Sequence, residues 1–351
     1  MNLFEVSPFY LYNAVILLFA AMIQCFTRSR FVFLIITFLV IGYMVFVSGA
    51  RTSGGTDLDD YISLWDRLIP FSTDTYIGDY SYWEPGLRLF LSTIKGIYNN
   101  QSFYLSVVAL LIHLLFIIGI MKIKGNPLMA LLIFYFSFFV AYTLNAYAQA
   151  FAMIFFIFLL PLIYQGRIFL YSLMIISFTF FHKSVLSIFP VLILGRYVKT
   201  VRSFSLTLIL AIIFSQLGFV DTLISMAGFP IELIPSSYFE SSIGILDFLH
   251  KGILLIFCYF CVVKITKSDF DWFVLKLYSL AFPIYILFME MPIMATRFYL
   301  FFRILEIVIL SRTFEKLTNN INKLIYLLLA FILYLPGFYI QITHPDSILG
   351  F

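Results

Sequence analysis

The run from Ser48 to Tyr61 carries residue types that bind and move charge. Arg51 supplies a planar cation suited to a bidentate grip on phosphate oxygens. Gly54 and Gly55 let backbone amides approach a ligand closely. Thr56 or Asp57 is a good helix N-cap. A cation, glycine amides and a helix start together make an anion site. Asp57, Asp60 and Tyr61 stand at i, i+3 and i+4 and share a helical face, and carboxylates there are candidates for a general base. A capped surface helix with solvated acids fits the same pattern, and the pattern alone does not separate the two.

Other polar residues interrupt apolar stretches, where charge is costly and its presence asks for a function. Asn145 and Gln149 are four apart and share a face. His182 and Lys183 close the apolar run 178–181. Glu84-Pro85-Gly86 opens another segment, with Arg88 one turn later, so Glu84 caps, pairs or faces a ligand. Arg297 lies early in a helix beginning near Pro292 and has no acidic partner in that helix, which makes it an anion-binding candidate. Arg303, about 9 Å deeper at 1.5 Å per residue, is three residues from Glu306, and the two are expected to pair.

These residues must be positioned by membrane helices. Hydrophobic residues make up 62% of the 351 and charged residues 11%, where a soluble domain carries about 25% charged. Mean hydropathy is +1.03. The chain is therefore an all-α polytopic membrane protein, which excludes a cytosolic enzyme, a nucleic-acid binder and a disulfide-built module. Spans are expected near 9–26, 31–48, 103–121, 127–143, 147–164, 168–181, 184–195, 204–220, 252–264, 272–290, 293–311 and 324–341, about 12 crossings in all. The first has no basic residues before it and reads as a retained helix, not a cleaved signal. With the amino terminus outside, Arg28, Lys122, Lys124, Arg167, Arg196, Lys199, Lys264, Lys267, Arg312 and Lys316 fall inside, as the positive-inside rule prefers. Both termini then lie outside, and the segment 84–98 is re-entrant or interfacial. The run 58–69 places Leu58, Tyr61, Ile62, Trp65, Leu68 and Ile69 at helical spacing, the pattern of a short amphipathic helix on the membrane surface.

The whole chain, 1–351, reads as one integral membrane domain with outer loops at about 49–102 and 221–251. No cytoplasmic loop has room for a nucleotide-binding domain, and no phosphate-loop motif occurs. Cys258 and Cys261 form a C-x-x-C among large apolar residues, and Cys25 also lies in an apolar run. All three read as small core- or lipid-facing residues. His113, His182, His250 and His344 show no metal-ligand spacing, so no metal site is expected.

Gly49, Arg51, Gly55, Thr56, Asp57 and Tyr61 fit the pattern G-x-R-x-x-x-G-T-D-x-x-x-Y. Glu84-Pro85-Gly86, then Phe181-His182-Lys183-Ser184, then Arg297 and Tyr299 follow in order. Together these resemble the EpsG-like branch of Wzy-type polysaccharide polymerases over about residues 40–310. One departure stands out. Where the family often has N-x-x-R-Q, this chain has Asn145-Ala146-Tyr147-Ala148-Gln149, with Ala148 at the arginine position.

The resemblance implies a GT-C-like glycosyltransferase, without cofactor, at the outer (periplasmic) face of the bacterial cytoplasmic membrane. It implies that undecaprenyl-pyrophosphate-linked oligosaccharide repeat units are joined there, with a Wzz-type chain-length regulator as a partner beside the membrane lipid. It assigns Arg51 and Arg297 to the pyrophosphate and His182 or Asp57 as base. Lys183, Glu84, Asn145, Gln149 and Tyr299 would orient sugar or lipid head group, with Gly55, Thr56, Asp60, Tyr61, Arg303 and the Ala148 position completing the binding set. Two rivals remain. Asp59-Asp60 is compatible with a metal-dependent glycosyltransferase using polyprenyl-monophosphate donors. A lipid-oligosaccharide flippase would use the same arginines without forming a bond.

Overall fold

The computed structural model describes residues 8–27, 29–51, 56–75, 83–189, 201–218, 222 and 245–343. Every named element among them is helical, and the chain is an all-α polytopic membrane protein. Seven helices are long and apolar enough to cross a bilayer, and shorter apolar helices cover 127–143, 168–179 and 202–216. Contacts divide the chain into two compact units, one of residues 1–162, 167–186 and 311–351, the other of 163–166 and 187–310.

The first unit opens with a hairpin of α1 (Pro8–Phe26) and α2 (Arg30–Ala50). Ser29 caps α2 by accepting from the Val32 N–H. α2 packs along α5 (Gln101–Lys122), which Asn100 caps through the Phe103 N–H. The two helices approach so closely that a Cβ on Gly49 would lie 1.9 Å from the Ser106 hydroxyl. The glycine opening the Ser48–Tyr61 run is thus accounted for by helix packing, as small residues are at membrane helix interfaces. Asn126 caps α6 (Pro127–Phe134), whose every residue is buried and which continues as a π-helix over Tyr135–Thr143. α7 (Tyr147–Tyr164) and α8 (Ile168–Thr179) follow, then a 3-10 turn at Lys183–Ile188. The later part of the expected 184–195 span lies outside the described residues, as does most of 221–251.

Between α2 and α5 the polar stretch folds into two short helices. α3 spans Thr56–Arg67 and α4 spans Pro85–Ile97. At 1.5 Å per residue α4 is about 20 Å long, too short for roughly 30 Å of hydrocarbon. Its length fits the expectation that the segment 84–98 does not cross. α3 departs from expectation in one respect. Its apolar stripe of Leu58, Tyr61, Leu64, Trp65 and Leu68 is buried against protein, including α4 and Tyr104 of α5, instead of facing lipid. Lys95 of α4 fixes this arrangement by donating to the last carbonyls of α3, Trp65 O at 2.7 Å and Asp66 O at 2.9 Å. A lysine there satisfies helix-end acceptors and complements the dipole. The unit closes with α14 (Asn320–Thr343), which packs on α1 and the π-helix.

The second unit contains α9 (Val201–Gln216), α10 (Ile245–Cys261) with a π-helical extension to Thr266, α11 (Asp269–Ser279), α12 (Ala281–Leu287) and most of α13 (Pro292–Lys316). Ser268 caps α11 through the Asp271 N–H. Cys258 and Cys261 are both buried, core-facing as expected.

Candidate functional site

Arg51 is the residue after α2, and 2% of its surface is exposed. Its Nε and Nη1 are buried with no hydrogen-bond partner among the described residues. Burial pushes the guanidinium down to about 10, while the phenols of Tyr104, Tyr10 and Tyr147 act to raise it. A buried cation surrounded by neutral phenols is expensive unless something anionic completes it.

The phenols lead from Arg51 to α3 and α7. Tyr147 at the start of α7 shares a 2.6 Å hydrogen bond with Tyr104 through their hydroxyls. Tyr61 of α3 stacks on Tyr147 with ring centres 3.8 Å apart and meets Trp83 at 4.8 Å. Burial first, then the charge of Asp57, raises the Tyr61 pKa, so its hydroxyl stays protonated, and the Ala148 backbone hydrogen-bonds to it. Asn145 accepts the Asp57 N–H at 2.8 Å and so holds the first turn of α3 against α7. Asp57 is half-buried on this inner face, whereas Asp59 and Asp60 are exposed. The expected shared face of Asp57, Asp60 and Tyr61 therefore divides. Thr56 begins α3, and Gly54 and Gly55 lie outside the described residues.

Glu84 stands beside Trp83 and is 7% exposed. It occupies the N-cap position of α4 without capping it through its side chain. Instead its Oε1 accepts the Lys183 N–H at 2.9 Å and faces His182 Nδ1 at 3.4 Å, a long contact that is an ion pair only with a protonated imidazole. Burial raises the Glu84 carboxyl. The hydrogen bonds from His182 and Lys183, a backbone bond of its own residue and the imidazole charge together outweigh burial and hold it below the usual carboxylate value. Arg88 turns elsewhere, donating to Thr73 O at 2.7 Å. The neighbouring Gly86 N–H donates to Phe180 O at 2.7 Å, and a Cβ on Gly86 would stand 2.6 Å from that oxygen. The Glu84-Pro85-Gly86 element is thus docked directly on the His182-Lys183 element, and only glycine permits the approach.

Four of the sequence elements therefore meet in the first unit: Arg51 to Tyr61, Glu84 to Gly86, Asn145 to Gln149, and Phe181 to Lys183. Ala148 is fully buried and Gln149 nearly so, while the Lys183 side chain is exposed. Trp83, Tyr104 and Tyr147 join these elements, and sequence reasoning did not single them out. The i, i+4 relation of Tyr104 to Val108 and of Tyr147 to Phe151 reads as ordinary helical core, so only the depth of a polar hydroxyl offered a signal.

Arg297, Tyr299 and Arg303 belong to the second unit. Arg297 is exposed on α13, and its expected part in binding rests on its place in the sequence and on the resemblance. Tyr299 is buried with Lys251 Nζ 5.0 Å from its ring centre. Arg303 Nε meets Glu306 Oε2 at 3.3 Å, the expected pair, and Tyr278 donates to the other carboxylate oxygen. Among the described residues no cluster of three or more His, Cys, Asp and Glu side chains has the makings of a metal site.

The first unit offers an unsatisfied buried cation, a carboxylate–imidazole pair and an aromatic wall between them. That set can hold an anion and move a proton. No curated protein and no solved structure matches the chain. The model of the EpsG family matches residues 31–349, nearly the whole length. The chain is a multi-pass, polysaccharide polymerase-like membrane protein, and it belongs to the EpsG family.

Proposed function

We propose that this protein is a glycosyltransferase that joins oligosaccharide repeat units carried on undecaprenyl pyrophosphate, working at the outer face of the bacterial cytoplasmic membrane. The observation that carries the reading is Arg51, whose buried Nε and Nη1 lack partners. A hydroxyl of the incoming unit attacks the anomeric carbon of the growing chain. The new C–O bond forms as the bond to pyrophosphate breaks, and the pyrophosphate leaves with the electron pair. Arg51 offsets the charge gathering on that leaving group, which a preorganised cation does best in a site shielded from water. His182, with Nδ1 turned to Glu84, keeps Nε2 to accept the hydroxyl proton, as a carboxylate-oriented imidazole does. The pyrophosphate is already an activated leaving group, so the reaction asks for no nucleotide sugar.

Polymerisation in liposomes tests this. Purified protein supplied with undecaprenyl-pyrophosphate-linked repeat units should build a ladder on a gel, with and without chelator. Substrate binding without any ladder would overturn the reading in favour of transport, and a ladder abolished by chelator would overturn the metal-independent chemistry. Ala148→Arg, which supplies the arginine that the resemblance expects at this position, should lengthen or strengthen the ladder. Unchanged product from a well-folded variant would show that this chain does not use that position.

A further inference from the structure

An apolar groove runs along the first unit between α1 and α14. Its volume is about 480 Å³, and its walls include Leu11, Ala14 and Leu18 of α1, Phe136 of the π-helix, and Leu335 and Phe338 of α14, with no polar atom exposed in it. It is open sideways, for Leu335 and Tyr339 on its rim are 43% exposed. Such a lining repels sugars and phosphates and accepts hydrocarbon.

Its position gives it meaning. The groove begins one residue past Tyr10, and Tyr10 is one of the phenols acting on the Arg51 guanidinium. The Tyr10 carbonyl accepts the Tyr135 hydroxyl at 2.8 Å, and the Tyr135 ring lies 5.4 Å from that of Phe338 in the groove wall. α1 begins and α2 ends on one side of their hairpin, and Gln341 near the end of α14 donates to the Ser137 carbonyl at 3.2 Å, so Arg51 and the Leu11 end of the groove lie on the same side. From Leu11 to Leu18 the groove runs about 10 Å along α1, away from Arg51. The wall at Phe136 belongs to a π-helix, a distortion that recurs at functional sites.

An unsatisfied buried cation and an apolar groove, both at the end of the hairpin where α1 begins and α2 ends, fit an amphiphile with an anion at the end of a long hydrocarbon. We propose that the α1–α14 groove holds the first isoprene units of the hydrocarbon chain of a polyprenyl pyrophosphate whose phosphates lie at Arg51. This rests on the functional reading above and adds where the lipid tail goes.

Binding separates the two ideas. Protein in phosphatidylcholine nanodiscs is titrated with labelled undecaprenyl pyrophosphate and with inorganic pyrophosphate, which has the charged end and no chain. Ala14→Trp and Leu335→Trp, which fill the groove, should each weaken the long-chain ligand by about tenfold and leave inorganic pyrophosphate unchanged. Leu39→Trp, at an exposed position on α2, should alter neither. In the unaltered protein, a diazirine on the polyprenyl chain should label residues 8–18 and 331–342. Tight long-chain binding that both groove variants retain, or labelling elsewhere, overturns the groove and leaves the polymerase reading standing. Displacement of the label by phosphatidylglycerol as readily as by unlabelled ligand makes the groove an ordinary phospholipid site and overturns the proposal. No binding by the unaltered protein overturns both.

Discussion

Each unit brings an arginine out of water, and the surroundings differ in kind. In the first, Arg51 lies against Tyr10, Tyr104 and Tyr147, and two of its nitrogens have no partner among the described residues. In the second, Arg303 meets Glu306, Tyr278 donates to the same carboxylate, and Lys251 reaches the Tyr285 hydroxyl at 3.2 Å while lying over the rings of Tyr285 and Tyr299. A charge that is answered within the fold contributes to holding helices together. A charge left unanswered raises the energy of the empty protein and lowers it only when a ligand arrives. The two arginines are thus distinguished by their partners: Arg51 is buried beside phenols, while Arg303 is half-buried and paired with a carboxylate.

The sharpest test of that contrast is a pair of matched substitutions. Arg51→Met should lower polymerisation by about 10²–10³-fold, the loss typical when one charge-stabilising group is removed from a reacting site. Its thermal stability should stay level or rise, because an unpaired buried charge has been replaced by an apolar chain of similar length. Arg303→Met should do the reverse, leaving the fully buried Glu306 carboxylate short of its cation and costing about 3 kcal/mol, at the low end for a broken buried pair because Arg303 is partly exposed. Melting curves and ladder assays on the two variants check this. Equal destabilisation by both would erase the distinction.

A smaller effect is expected from Gly86→Ala. The added methyl would press on the Phe180 carbonyl, a backbone atom that cannot swing aside. Overpacking of this kind costs about 1–3 kcal/mol. It also pushes Glu84 off the Lys183 N–H, so activity should fall along with melting temperature. Gly42→Ala, at a helical glycine whose Cβ would meet nothing within 4 Å, is the control and should be harmless.

Much of this fold was readable beforehand because hydropathy and helical periodicity act locally. The hairpin of α1 and α2, the long α5 and α7, and the short α4 all follow from apolar length and capping residues such as Ser29 and Asn100. The π-helix at Tyr135–Thr143 was not legible, since its apolar residues would suit an α-helix equally well. The burial of α3 against protein escaped notice because an apolar stripe looks the same whether it meets lipid or Tyr104. At the site, Arg51 stood out beside glycines ahead of a helix start, Glu84 at the opening of a Pro-Gly segment, and His182 at the close of an apolar run. Their connection did not, for Lys183 N–H and Glu84 Oε1 are 99 positions apart in sequence, and a backbone donor leaves no trace in residue type.

The least dramatic prediction tests whether that Glu84 contact joins the two elements electrostatically. The folded protein holds the Glu84 carboxyl below its ordinary value, so the unfolded chain takes up a proton at higher pH than the folded one. The carboxylate's contribution is then fully present above the unfolded carboxylate pKa and is lost as pH falls through the folded one. Melting temperature should accordingly decline on the acid side. Glu84→Gln keeps the shape and one acceptor for the Lys183 N–H but removes the charge facing His182. The variant should melt lower near neutrality and show a flatter acid limb, with the two curves converging at low pH. An acid limb of unchanged slope in the variant would assign the decline to other carboxylates and leave the Glu84–His182 contact as packing alone.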